Sequence, residues 1–154
     1  MQPTEYALRR LLHVYWRFSR GLTLGVRALV IDGESRIFLV KHGYVPGWHL
    51  PGGGVEPGET IRAALRRELF EEGNIELTDP PVLHGVFLNP NVSRRDHIAC
   101  FVVRDFRQDS APKPNYEIID HRFFDRRELP PDITPGSRRR IAEVLEGAPV
   151  AERW

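Results

Sequence analysis

The chain reads as an α/β protein, a mixed β-sheet sandwiched between helices, and three observations predict this. Period-two apolar segments recur along it, separated by segments of helical periodicity. The order of these segments, α-β-β-α-β-β-β-α, points to a mixed sheet packed between helices. The length, 154 residues with 41% hydrophobic and 28% charged, suffices for one domain with its own core. The same composition excludes a disordered chain. Lysine and arginine number 22 and aspartate and glutamate 21, so the net charge of +1 gives no global case for nucleic acid or an anionic surface as partner. One cysteine, Cys100, excludes an intramolecular disulfide framework and fits a reducing, cytoplasmic compartment. The longest aliphatic run, residues 28–31, falls far short of the ~20 residues that span a bilayer.

Residues 1–20 read as an N-terminal amphipathic helix ahead of a domain at 21–148. Projected at roughly 100° per residue, Leu8, Leu11, Leu12, Tyr15, Trp16 and Phe18 share one side, and Arg9, Arg10, His13, Arg17 and Arg20 share the other. The expectation is an apolar stripe packed on the domain or on a second subunit, which would make a homodimer. The sharper alternative is a basic helix on a membrane surface or an anionic partner. The arginines interrupt any signal-peptide core.

Leu22, Leu24, Val26, Ala28 and Val30 then alternate with their neighbours as a strand. Asp32-Gly33 is a turn signal before a second strand at 36–42, so the pair reads as a hairpin. Residues 43–59, rich in glycine and proline, read as loop. A helix follows at 60–73, then strands at 82–88, 97–106 and 117–124, with loops at 89–96 and 107–116. A Thr-Pro start and Gly147 bound a closing helix at 135–146.

The chemistry lies at residues 50–72. On the 60–73 helix, Ile61, Ala64, Leu65 and Leu69 form an apolar stripe, and Glu68, Glu71 and Glu72 project onto that stripe rather than away from it. Their spacing sets like charges at i,i+3 and i,i+4, which is destabilising. Glu71 and Glu72 also sit at the negative end of the helix dipole, at a cost of ~0.3–1 kcal/mol each. Burial adds a desolvation cost. Arg67 can neutralise only part of this cluster, whereas a hard divalent cation suits carboxylate and carbonyl oxygens. Gly52, Gly53 and Gly54 let the backbone approach a ligand closely, so a carbonyl there could complete such a coordination sphere. Glu59 adds a fourth acid ahead of the helix.

The spacing Gly53-x5-Glu59-x7-Arg67-Glu68-Leu69-x-Glu71-Glu72, continued to Ile75, resembles the box of the Nudix hydrolases. One position departs: Asn74 stands where that box has glycine, and asparagine is the next most tolerant residue for the left-handed conformation that ends the helix. The resemblance implies a mixed sheet between helices. It implies Mg²⁺- or Mn²⁺-dependent cleavage of a nucleoside diphosphate linked to another moiety, by water attack at phosphorus. Glu68, Glu71 and Glu72 would hold metal, with the carbonyl of Gly52 or Gly53. Arg67 would fix a glutamate, and Glu59 would support the loop or a metal. The resemblance also implies that Glu68 would orient or deprotonate the water; a further acid outside the box often serves as base in such enzymes, and Glu117 is the candidate, ahead of Asp96 and Glu128.

Substrate contacts are expected on the loops 89–96 and 107–116, with Arg94 and Arg95 on phosphate. Tyr116, Tyr44, Trp48 or Phe87 could stack on a base. Trp48 also suits packing beneath the glycine loop. The histidines show no zinc-type spacing and read as structural or solvated. The alternative to an enzyme is a non-catalytic nucleotide sensor or scaffold of the same fold, against which the retained Glu68, Glu71 and Glu72 argue. A plain globular domain with surface acids would show no dependence on divalent ions. The small-molecule partner is a nucleotide of undetermined identity.

Overall fold

The computed structural model describes residues 3–154; residues 1 and 2, the start of the expected 1–20 unit, lie outside it. Helix α1 (Pro3–Ser19) precedes strands β1 (Thr23–Val30), β2 (Arg36–His42), β3 (Trp48–His49) and β4 (Gly52–Gly54). Helix α2 (Ile61–Gly73) leads to β5 (Glu76–Leu77), β6 (Val82–Leu88), β7 (Asp96–Val103), β8 (Phe106–Arg107) and β9 (Ile118–Asp125), and α3 (Pro135–Leu145) closes the fold.

Strand β1 carries the architecture. It pairs in parallel with β7 along its whole length and antiparallel with β4, and β6 flanks β7 to complete the order β4-β1-β7-β6. A second sheet has the order β3-β2-β9, and β5 pairs with β8. Both faces of β1 are buried, as its mixed apolar composition requires. Val26, Ala28 and Val30 pack with Ala64, Leu65 and Leu69 of α2, whereas Leu29 joins Ile141 of α3 with Trp48, Leu50, Phe87 and Cys100. The sheets therefore lie between α2 and α3, as expected.

Four expectations are corrected. The β1–β2 hairpin is only a turn: Ile31 bridges Ile37, Asp32 N donates to the Arg36 carbonyl, and the strands then part into different sheets. Pairing with β7 buries more of β1 than a two-stranded hairpin would. The glycine loop is not wholly loop, because Gly52–Gly54 is the edge strand β4. Its lack of side chains hides the strand from any reading of periodicity. The expected strand 97–106 divides into β7 and β8, the second of which leaves the sheet for β5. Finally, of the two covers expected for α1, the domain leaves its described apolar side chains open, and a second subunit lies outside this structure. Leu11, Tyr15 and Phe18 are 69%, 65% and 74% exposed.

The loop expected at 43–59 also contains β3, whose Trp48 is buried edge-to-face against Phe124. Phe87 is likewise core, beneath the fully buried Arg140, whose guanidinium lies 3.9 Å from the ring centroid. Arg140 pairs with Glu143 at 2.7 Å, and Glu143 in turn meets His84 at 2.7 Å. Neither aromatic is available to stack on a ligand.

Candidate active site

Helix α2 is positioned by its two ends. At the start, Thr60 Oγ1 accepts a bond from Ala63 N at 3.1 Å, a side-chain cap. At the end, Asn74 adopts the left-handed conformation expected of it, with φ 50° and ψ 36°, and its N–H donates back to the helix. Its amide adds what glycine could not, donating to the Ser110 carbonyl and to Ser110 Oγ at 3.0 and 2.8 Å. This ties the helix end to the 107–116 loop.

The face of α2 towards β4 carries two buried acids, Glu68 and Glu72. Glycine is required opposite them. Gly52 has φ +147°, and a Cβ there would lie 1.9 Å from the Val26 carbonyl oxygen. A Cβ on Gly53 would lie 2.4 Å from Glu68 Oε1. The absent side chains let the helix acids reach the strand backbone, and Gly52 N donates to Glu72 Oε2 at 2.8 Å.

The acids form two groups. Arg67 gathers the first: Nε and Nη2 donate to the two oxygens of Glu59 at 2.9 and 3.0 Å, and Nη1 donates to Glu68 Oε1 at 2.6 Å. Its Nη2 also donates to the Gly54 carbonyl, and Glu71 lies 3.6 Å from Nη1. These bonds raise the Arg67 pKa and lower that of Glu59. The second group is Glu72, His42 and Glu117, which offer ligand atoms within 4.8 Å of one another. Tyr44 OH donates to Glu117 Oε1 at 3.3 Å.

Burial governs the electrostatics. The Glu72 side chain is 4% exposed, and burial pushes its pKa up to about 8 against the pull of Arg27 and the Gly52 N–H. Burial raises Glu68 also, despite Arg67. His42 is lowered to about 4 by burial first, then by the Arg27 and His49 charges, and its buried Nδ1 has no partner. Two buried carboxyls with raised pKa values and an orphaned ring nitrogen converge on one wall. The donor set is rich in oxygen and short of neutralising charge, so it fits a hard divalent cation.

That wall opens on a cavity of about 990 Å³ lined by Arg27, Tyr44, His49, Glu68, Glu117 and Arg139, among others. The chain's last residues also line it. Leu88 N donates to the Glu152 carbonyl at 3.0 Å and Trp154 N donates to the Leu88 carbonyl at 2.8 Å, which brings Arg153 and Trp154 to the rim. Arg139 donates to the Trp154 carbonyl.

The family model for the NUDIX domain matches residues 21–144. The chain belongs to the NUDIX family. It is a Nudix-type hydrolase, and its fold is that of solved Nudix structures. A MutT NUDIX hydrolase from Burkholderia pseudomallei superposes with a TM-score of 0.68 at 24% identity, covering 80% of this chain and 98% of that one. In Bacillus subtilis, a protein provisionally named 8-oxo-dGTP diphosphatase is 29% identical over 126 residues, 82% of each chain. An ADP-ribose pyrophosphatase from Methanocaldococcus jannaschii is 31% identical over 104 residues, 66% of this chain and 61% of its own.

Against this Nudix frame the expected site residues divide. Gly52, Gly53, Glu68 and Glu117 line the cavity, and Glu72 stands behind Gly52. Glu59 and Arg67 form the brace beside them. Glu71 departs from the expected stripe, since its side chain is 57% exposed. The projection placed it at the margin of the buried arc, and α2 meets β4 on the Glu68–Glu72 side. Gly52 departs in part, because its carbonyl already accepts from Arg27 Nη1 at 3.1 Å.

Arg94, Arg95 and Tyr116 do not line the cavity. Arg95 donates to the Phe18 carbonyl of α1, and Tyr116 is fully exposed. Asp96 is used up in structure, accepting from Thr23 Oγ1 at 2.6 Å and Asn89 Nδ2 at 2.8 Å. Glu128 is exposed at a turn beyond β9. Sequence reasoning missed Arg27, His42, Arg139 and Arg153. A charged residue inside the apolar period of β1 was the available signal for Arg27, and a histidine closing a buried strand was the signal for His42. Nothing local marked the two C-terminal arginines.

Proposed function

We propose that this chain is a divalent-metal-dependent hydrolase that cleaves the diphosphate of a nucleoside diphosphate linked to another moiety, with water attacking phosphorus. The observation that carries this reading is the buried pair Glu68 and Glu72, held against Gly52 and Gly53 at a cavity wall with Glu117 beside Glu72. Glu68, Glu71 and Glu72, with the Gly53 carbonyl and that of Gly52 where Arg27 permits, would hold Mg²⁺ or Mn²⁺. Bound there, the ion supplies charge neutralisation for the diphosphate and an acidified water.

The chain's own residues do the rest. Arg67 locks Glu68 in place and is itself locked by Glu59, so the ligand carboxylate enters the reaction already oriented. Glu117 is the base that takes the water's proton, and Tyr44 holds its carboxylate by a hydrogen bond. Arg139 and Arg153 supply positive charge in the cavity lining for the remaining phosphate or its linked group. A cavity of about 990 Å³ accommodates a nucleotide. The relatives' names include 8-oxo-dGTP and ADP-ribose, both of which carry a diphosphate. A cytoplasmic location accords with the single cysteine, buried as the free thiol Cys100.

The test is a hydrolysis screen over 8-oxo-dGTP, ADP-ribose, nucleotide sugars and dinucleoside polyphosphates with Mg²⁺ or Mn²⁺, run in ¹⁸O-water and repeated with a chelator. Turnover that needs the ion and labels a phosphate product is expected. Tight binding without turnover would favour a sensor instead.

A further inference from the structure

Helix α1 contributes none of its described residues to the site. Its apolar side chains are exposed rather than packed: Leu8, Leu11, Tyr15 and Phe18 are all more than half exposed, and Leu12 and Trp16 are 38% and 41% exposed. The helix is nevertheless attached in a defined way. Arg95 Nη1 donates to the Phe18 carbonyl at 3.3 Å. At its exit, a Cβ on Gly21 would stand 2.6 Å from the Arg17 carbonyl oxygen, so only glycine lets the chain turn that closely. A held helix whose apolar face is left open needs a cover.

The pattern of the helix selects that cover. Projected at roughly 100° per residue, the apolar arc from Val14 through Leu11, Leu8 and Leu12 to Trp16 spans about 200°. Arg9, Arg10, His13, Arg17 and Arg20 fill the remaining sector, with Arg9 bordering Trp16 and Arg10 bordering Val14. No aspartate or glutamate occurs from residue 6 to residue 31. A second copy of the helix would cover one narrow seam of so broad an arc. It would also present the same positive charge. Nucleic acid would meet the arginines and leave the apolar arc in water. A planar apolar medium with an anionic surface satisfies both arcs at once: Leu, Phe, Trp and Tyr enter it, and the arginines at the borders reach the headgroups.

We propose that α1 is a membrane-surface helix that docks the enzyme on a leaflet containing anionic lipid, lying in the plane of the interface. Among the described residues, no helix is long and apolar enough to cross a membrane, so α1 lies on the surface and does not span it. The inference rests on the helix alone and stands whether or not the proposed hydrolysis is correct.

The experiment uses the full chain with vesicles of phosphatidylcholine alone and of phosphatidylcholine with phosphatidylglycerol. Co-sedimentation with the anionic vesicles only is expected, weakened by salt. Arg10→Glu and Arg17→Glu should each weaken it at least about fivefold, the effect of one basic residue at such a surface. Leu11→Glu or Phe18→Glu should abolish it while leaving thermal midpoint and vesicle-free turnover unchanged, because both side chains are exposed in the folded chain. No association with anionic vesicles at low salt, or undiminished association of Leu11→Glu, would overturn the proposal. So would a dimer in sedimentation equilibrium that Leu11→Glu dissociates, since a second copy would then be the cover.

Discussion

Glu72→Gln separates the cost of the buried acid from its use. In the folded chain Glu72 holds its proton up to about pH 8, against 4.5 as the ordinary value. Between those limits the unfolded chain is ionised and the folded chain is not, so the native state binds the extra proton. Stability therefore falls as pH rises through that window and levels off above it. At 1.36 kcal/mol for each pH unit, the whole window is worth about 5 kcal/mol, of which about 3 kcal/mol is already lost at pH 7. Glutamine keeps the acceptor for the Gly52 N–H and never ionises. Urea unfolding with a chelator, run from about pH 5 to about pH 9, should show the wild type losing stability relative to Glu72→Gln as pH rises. Mg²⁺ should restore the wild type at high pH and leave the variant unchanged, by ligand linkage. Turnover of the variant should fall at least ~100-fold. Parallel stability curves would refute the burial argument, and near-normal turnover would refute the role in metal binding.

The remaining predictions address the glycine strand, the Arg67 brace, the base and the buried ion pair of α3. Gly53→Ala places a methyl group on Glu68 Oε1, so turnover should fall about 100-fold while the thermal midpoint changes little, because the far end of a side chain can move aside. Arg67→Lys loses the fork that holds Glu59 and Glu68; metal affinity by calorimetry should weaken about 10–100-fold. Glu117→Gln should cost ~10²–10⁴-fold in turnover and abolish the limb of the pH–rate profile that reports the base; an unchanged profile would move the base elsewhere. Glu143→Ala leaves the fully buried Arg140 without its ion-pair partner, so chemical denaturation should register a loss of about 3–5 kcal/mol.

Much of this protein was legible before its structure. Both long helices of the domain have ends that the chain announces: Thr60 and Asn74 for α2, Thr134-Pro135 and Gly147 for α3. Strand β6 matches its expected span because its apolar run is bounded by Pro81 and Asn89. Strand β4 was not legible, because three glycines have no periodicity to read. Nor was the parting of β1 from β2, since a turn signal fixes the reversal of the chain and says nothing of which sheet each strand joins. The burial of the acids was half legible. A helical projection gives angles, and which side of α2 meets β4 then left Glu68 and Glu72 inside and Glu71 outside.

The family, the acid-bearing helix and the glycines that face it are all written in one contiguous stretch of fixed spacing. The two opposed faces of α1 are likewise written in its own residues. Long-range packing, by contrast, leaves α1 uncovered, joins His42 and Glu117 to Glu72, and brings the chain's last residues to the cavity. Those juxtapositions come from residues tens of positions apart. Long-range pairing such as β1 with β7 and β2 with β9 brings them together, and no local pattern encodes its register.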